Sequence, residues 1–135
     1  MTLVDSNIIL DIVTDDPIWA DWSQFNLDRA ALAGPLVIND IIYAELSARY
    51  QTFEELDALL RDMGIVLQPM PRRALFAAAT AFRQYRASGG TRTGVLPDFF
   101  IGAHAAVSDY PLLTRDGRRS QTYFPTVRLI VPGSA

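Results

Sequence analysis

The 135-residue chain contains no cysteine. Disulfide frameworks, thiolate zinc sites and cysteine nucleophiles are therefore excluded. It contains no lysine either, since all twelve basic residues are arginine. That removes the phosphate-loop lysine, Schiff-base chemistry and any Ser-Lys pair. The single histidine, His104, cannot build a histidine-rich metal centre within one chain. No apolar run approaches the roughly 18 residues that mark a membrane span. The first apolar stretch has no basic segment before it and is interrupted by Asp5 and Asp11. It does not read as a signal peptide, so the expectation is a cytoplasmic protein with no membrane association. What remains for catalysis is mainly carboxylates.

Half of the residues are hydrophobic and a fifth are charged, a globular composition of one-domain length, so a single domain over 1–135 is expected. The net charge of −3 hides an asymmetry. Residues 1–71 hold twelve acidic and three basic side chains, and residues 72–135 hold three acidic and nine basic. Such a split can attract a polyanion or a charged protein, or it can be smoothed when the two halves interleave on folding.

Short apolar runs alternate with helical patterns, which predicts an α/β architecture with a mostly parallel sheet. Strands are expected at Thr2-Leu3-Val4, Leu36-Val37-Ile38, Ile65-Val66-Leu67, Leu112-Leu113 and Val127 to Val131, the last at an edge. Helices are expected from Ile8 to Val13, from about Pro17 to Ala33, from Ile41 to about Tyr50, after the capping box Thr52-Phe53-Glu54-Glu55, from Pro71 to about Ala87 and from Pro97 to about Val107. Residues 88 to 96 read as a loop.

Four acids stand where surface acids are less expected, and each has two readings. Asp5 directly follows the first strand, where α/β proteins bind ligands; it could equally cap the next helical turn. Glu45 lies beside the apolar face of its helix and would need compensation if buried. Alternatively it forms an exposed pair with Arg49, worth about 0.2–0.5 kcal/mol. Asp98 opens an apolar helix in which Gly102 and Ala105 permit close packing. It could reach a shared site or simply complement the helix dipole, worth about 0.3–1 kcal/mol. Asp116 follows a strand and could belong to an ordinary Asp-Gly turn.

In a parallel sheet all four acids could converge on one rim. Carboxylates that close would raise each other's pKa values unless a cation sat among them. Hard oxygen ligands at an open site suit Mg²⁺ or Mn²⁺, and such a metal can promote attack of water on a phosphodiester.

The segments Leu3-Val4-Asp5-Ser6-Asn7 with Asp11 behind it, Tyr43-Ala44-Glu45-Leu46, Leu96-Pro97-Asp98-Phe99-Phe100-Ile101-Gly102-Ala103-His104-Ala105 and Leu112-Leu113-Thr114-Arg115-Asp116 resemble, in this order, the PIN-domain ribonucleases. Within that group the closer resemblance is to the VapC toxins of bacterial toxin–antitoxin pairs. Tyr123-Phe124-Pro125 followed by a strand extends it over essentially the whole chain. The resemblance implies a PIN-like three-layer sandwich, a central parallel five-stranded sheet flanked by helices. It implies that Asp5, Glu45, Asp98 and Asp116 hold Mg²⁺ or Mn²⁺ for RNA cleavage, with Asp116 at the position that varies in the family. Asn7 would hydrogen-bond near Asp5, and Thr114 would orient Asp116 or a water. A homodimer and a cognate antitoxin covering the site are implied as partners. The expected activity is that of a toxin cutting structured RNA, tRNA or rRNA, and so inhibiting translation.

Two alternatives stand beside this. An acidic-site phosphatase of the haloacid-dehalogenase type needs a second acid two residues after the first, where this chain has Asn7; a receiver domain needs a lysine. A non-catalytic PIN-like protein-binding module would have no use for four acids. Arg115, Arg118 and Arg119 flank Asp116 and are candidates for RNA contact. His104, with Phe100 and Val107 nearby on its helix, reads as a packed or hydrogen-bonded structural residue. Trp19, Trp22 and Phe25 read as core first and as a partner surface second.

Overall fold

The computed structural model describes residues 1–92 and 94–133. Position 93, within the expected loop, and positions 134 and 135 lie outside the described residues. In chain order the elements are β1 (Thr2–Val4), α1 (Ser6–Val13), α2 (Ala20–Ala33), β2 (Leu36–Ile38), α3 (Asp40–Ser47), α4 (Phe53–Asp62), β3 (Ile65–Leu67), α5 (Arg72–Ala87), α6 (Leu96–Ser108), β4 (Leu112–Leu113), α7 (Arg118–Tyr123) and β5 (Leu129–Ile130). The strands form one five-stranded sheet, ordered β3-β2-β1-β4-β5, and every neighbouring pair is parallel. This is the α/β sandwich expected from the alternating pattern. No helix among the described residues is long and apolar enough to cross a membrane.

The order places the functional rim. The chain works outward from β1 through β2 to β3, then returns to the other side of β1 for β4 and β5. The connections leave in opposite directions at the carboxyl ends of β1 and β4, which opens a crevice there. Every residue of β1, β2 and β4 is buried, as parallel strands covered by helices on both faces require. At the edges β3 buries only Ile65, and β5 is half-buried. The main core gathers Leu3, Val4, Ile8, Ile38, Ile42 and Leu113 around the sheet, and a second cluster joins α5 to α6 through Ala74, Ala78, Phe99 and Ala103.

Gly102 sets the approach of α6 to α7. A Cβ there would lie 2.6 Å from the Phe124 ring and 2.7 Å from Ser120 Oγ, so a larger residue would have to push the Ser120 and Phe124 side chains aside. This contact sets the segment carrying Asp116, Arg118 and Arg119 beside the helix whose first turn carries Asp98.

Some boundaries differ from the sequence reading, for local reasons. The second helix begins at Ala20 because Asp16 Oδ1 accepts the backbone N–H groups of Ile18 and Trp19, both at 2.9 Å, and holds them in a turn. The last strand is shorter because Val127 N–H turns back to the Phe124 carbonyl. The third helix stops at Ser47, where Arg49 and Tyr50 N–H groups close tight turns onto Leu46 and Ser47. The helix at Arg118–Tyr123 was not expected at all. Of the aromatic series, Trp22 packs against the main core while Phe25 stays 60% exposed, with the Arg29 guanidinium over its ring.

Candidate functional site

Asp5 leaves β1 with extended backbone angles and caps α1, its Oδ1 accepting the Ser6 N–H at 2.7 Å. Its Oδ2 accepts the Thr114 hydroxyl at 2.8 Å, across from the end of β4. The capping and site readings of Asp5 are therefore both realised, by different oxygens. Thr114 is fully buried; its hydroxyl oxygen accepts from Asn7 Nδ2 at 3.3 Å and from the Asp116 N–H at 3.2 Å. Asn7 Oδ1 in turn accepts the Arg115 N–H at 3.2 Å. Asn7 and Thr114 thus tie the two strand ends together and fix the Asp5 carboxylate from behind.

Glu45 reaches this group from α3. The Ser6 hydroxyl sits 3.1 Å from Glu45 Oε1 and 3.4 Å from Asp5 Oδ1, so one hydroxyl lies between two carboxylates. Among the described residues the ion pairs are Arg115–Asp11 and Arg118–Asp116, so Glu45 is not paired with Arg49. Ser6 was not singled out from the sequence. Its only signal was its position after Asp5, where a serine reads as ordinary helix-start chemistry.

The charges register the convergence. Burial raises the Asp5 pKa against the opposing hydrogen bonds from Thr114 and Ser6, and Asp116 adds to the rise. Burial also raises Glu45, reinforced by the charges of Asp5 and Asp98. Asp98 is pushed up to about 6 by burial first, then by Asp5 and Asp116, with partial relief from Arg119 and Arg118. Glu45 and Asp98 are both exposed as whole residues, so the burial that raises them is only partial, and the charges of neighbouring acids add to it. Asp116 moves the other way. Arg118 Nε and Nη2 donate to its two oxygens at 2.9 and 2.8 Å, and this hydrogen bonding holds its pKa below the usual carboxylate value.

The three arginines divide. Arg115 Nε donates to Asp11 Oδ2 at 2.8 Å, with Asp11 only 3% exposed, and its guanidinium lies over the Trp19 ring. Arg118 is the open partner of Asp116, its side chain 79% exposed. Arg119 lies 4.9 Å over the Tyr85 ring, with its charge felt at both Asp98 and Asp116.

The donor set suits a hard divalent cation in kind: carboxylate oxygens only, three of them raised by burial and mutual repulsion. As the side chains stand, no three His, Cys, Asp or Glu groups among the described residues form a metal-holding cluster. The Ser6 hydroxyl occupies the space between Asp5 and Glu45, and Asp116 is taken by Arg118. The rim is an open acidic crescent rather than a finished cage.

The family model for the PIN domain matches residues 2–125. No curated protein matches the sequence. Among solved structures, the chain is 18% identical to one in the crystal structure of VapBC2 from Rickettsia felis bound to a promoter DNA fragment. That match has a TM-score of 0.72 and covers 96% of this chain and 97% of the other. A chain of a toxin-antitoxin complex from Klebsiella pneumoniae is 17% identical, with a TM-score of 0.67 and full coverage of both. A chain of FitAcB from Neisseria gonorrhoeae is 20% identical, with a TM-score of 0.67 and 96% coverage of each.

Proposed function

The chain belongs to the PIN domain family, and from that premise we propose that it is a divalent-metal-dependent endoribonuclease, the toxin of a toxin–antitoxin pair. The observation that carries the reading is the gathering of Asp5, Glu45 and Asp98 within one another's electrostatic field, with burial raising all three and no arginine paired to any of them among the described residues. Family membership supports nuclease chemistry, and the toxin–antitoxin neighbours support the toxin role.

In this reading Asp5, Glu45 and Asp98 would hold Mg²⁺ or Mn²⁺, with Asp116, now paired to Arg118, as the fourth candidate ligand. Bound there, such an ion would supply Lewis acidity toward the phosphate and the attacking water. The protein's own part is orientation. Thr114 and Asn7 keep Asp5 facing the crevice, and Ser6 holds Glu45 toward it. Arg118 and Arg119 meet RNA phosphates on the open side, while Arg115 stiffens the β4–α7 segment through Asp11. The substrate is structured RNA, tRNA or rRNA, and its cleavage inhibits translation in the cytoplasm. Protein partners are a second copy of the chain and a cognate antitoxin; exposed Phe25 and Phe76 offer apolar surface for such contacts.

The test is inducible expression with mapping of new RNA ends, run beside Asp98→Asn. New ends in a tRNA or rRNA are expected, absent from the variant, and restored in vitro only with Mg²⁺ or Mn²⁺. Unchanged RNA ends at full expression, or equal cutting by the variant, defeat the reading.

A further inference from the structure

His104, the chain's one histidine, is fully buried in α6 and belongs to none of the contacts of the acidic rim. Its hydrogen bond runs 65 residues across the sequence to Asn39, whose Nδ2 lies 3.1 Å from His104 Nδ1. Asn39 is also fully buried, and it is the N-cap of α3: its Oδ1 accepts the Ile42 N–H at 3.0 Å.

These two bonds fix the chemistry of the ring. With Oδ1 turned to Ile42, the amide presents its NH₂ group to the imidazole, and that group only donates. His104 Nδ1 must then accept, which makes the ring the neutral Nε2–H tautomer. Among the described residues Nε2 has no hydrogen-bond partner. An aliphatic residue would fill the same space without burying that donor, so the imidazole's use here is its Nδ1 acceptor. Without it the Asn39 NH₂ group would be stranded in the core, and the amide would lose the constraint that aims Oδ1 at the helix start.

We propose that His104 is a positioning residue for Glu45. It locks the Asn39 cap, the cap sets the first turn of α3, and α3 delivers Glu45 to Ser6 and Asp5. The inference rests on the reading of Glu45 as part of the metal-holding rim, and it adds a support outside the rim that no acid-by-acid inspection of the crescent would include.

The test compares His104→Leu, which keeps volume and removes the acceptor, with His104→Asn, whose side-chain oxygen can accept in place of Nδ1. Leu27→Ala, a core truncation on α2, controls for lost stability alone. In His104→Leu, the Ile42 amide should exchange about fivefold faster, the scale of one lost cap. The Ser6–Glu45 contact should be broken in its crystal structure. Calorimetry should show Mn²⁺ binding weakened roughly tenfold or more, as for loss of an outer support. His104→Asn should restore all three, and Leu27→Ala should leave Mn²⁺ binding unchanged. Retention of the Ser6–Glu45 contact and of Mn²⁺ binding in His104→Leu would overturn the proposal, as would equal loss in Leu27→Ala. If the wild-type chain takes up no Mn²⁺, the metal reading fails, while the exchange and crystallographic comparisons still decide the positioning role. Should His104→Leu not fold, nitrogen NMR of the lone imidazole decides the premise: an unprotonated Nδ1 supports it, and a protonated Nδ1 refutes it.

Discussion

Asp5 and Asp11 sit at the two ends of α1, and the fold treats them in opposite ways. Asp11 is 3% exposed and is met by a cation: Arg115 Nε at 2.8 Å, with the Ser23 hydroxyl at 2.8 Å on the same oxygen. Among the described residues Asp5 is met by neutral donors alone, the Ser6 N–H and the Thr114 and Ser6 hydroxyls. Neutral donors fix where a carboxylate points without cancelling its charge. The chain evidently can place an arginine against a buried acid, since it does so for Asp11. At the rim it spends its hydrogen bonds on direction and leaves charge available to a ligand.

The largest expected effect separates these two acids directly. Asp5→Asn should reduce metal-dependent RNA cleavage by on the order of 10²–10³-fold, the usual cost of one electrostatic group at a reacting centre. It should change the stability of the metal-free protein little, because the repulsion it removes is offset by the acceptor lost to the buried Thr114 hydroxyl. Asp11→Asn should do the reverse, lowering unfolding free energy by about 2–4 kcal/mol by stranding Arg115 against a neutral group. Urea unfolding and RNA cleavage, measured on both variants, would break the comparison if the two profiles matched.

A second contrast concerns pH. Asp98 is raised to about 6, and Asp5 and Glu45 are raised as well. Between the unfolded value near 3.8 and the folded value near 6, the native state binds the proton that the unfolded chain has released. Stability of the metal-free protein should therefore fall as pH rises through that window. Saturating Mg²⁺ or Mn²⁺ should flatten this slope or reverse it, since the metal favours the ionised rim. Thermal unfolding from pH 4.5 to 7.5, with and without metal, provides the check. A slope indifferent to metal would mean that the rim acids do not hold it.

The scaffold was readable wherever a local rule was strong. β1, β2 and β4 are apolar runs cut off by polar turn residues, and α4 carries both a capping box and an apolar stripe. Helix α7, Arg-Arg-Ser-Gln-Thr-Tyr, has neither. It forms because Ser120 and Phe124 pack into the space left by Gly102, a tertiary cause that no local pattern reveals. At the rim, Asp5 and Asp116 could be placed from the strands they follow. Ser6 could not, because its link to Glu45 depends on how α3 docks beside α1. The Asp11–Arg115 pair joins residues 104 positions apart, and nothing near either residue announces the other.

The smallest expected effect lies at Arg118, and it asks whether the open arginine belongs to the structural or the ligand-facing side of the comparison. Its pair with Asp116 has ideal two-point geometry but is exposed on both sides, 79% and 54% by side chain. Solvent screening leaves such an exposed pair little stability to contribute, so Arg118→Ala should scarcely move the unfolding midpoint. If Arg118 instead meets an RNA phosphate, its loss should weaken RNA binding across sequences and reduce the dependence of log affinity on log salt by about one unit. Its removal also frees Asp116 for a cation, so metal affinity should rise slightly while RNA affinity falls. A structural arginine would lose stability and leave the salt dependence alone, which makes the opposite signs of these two changes the informative result.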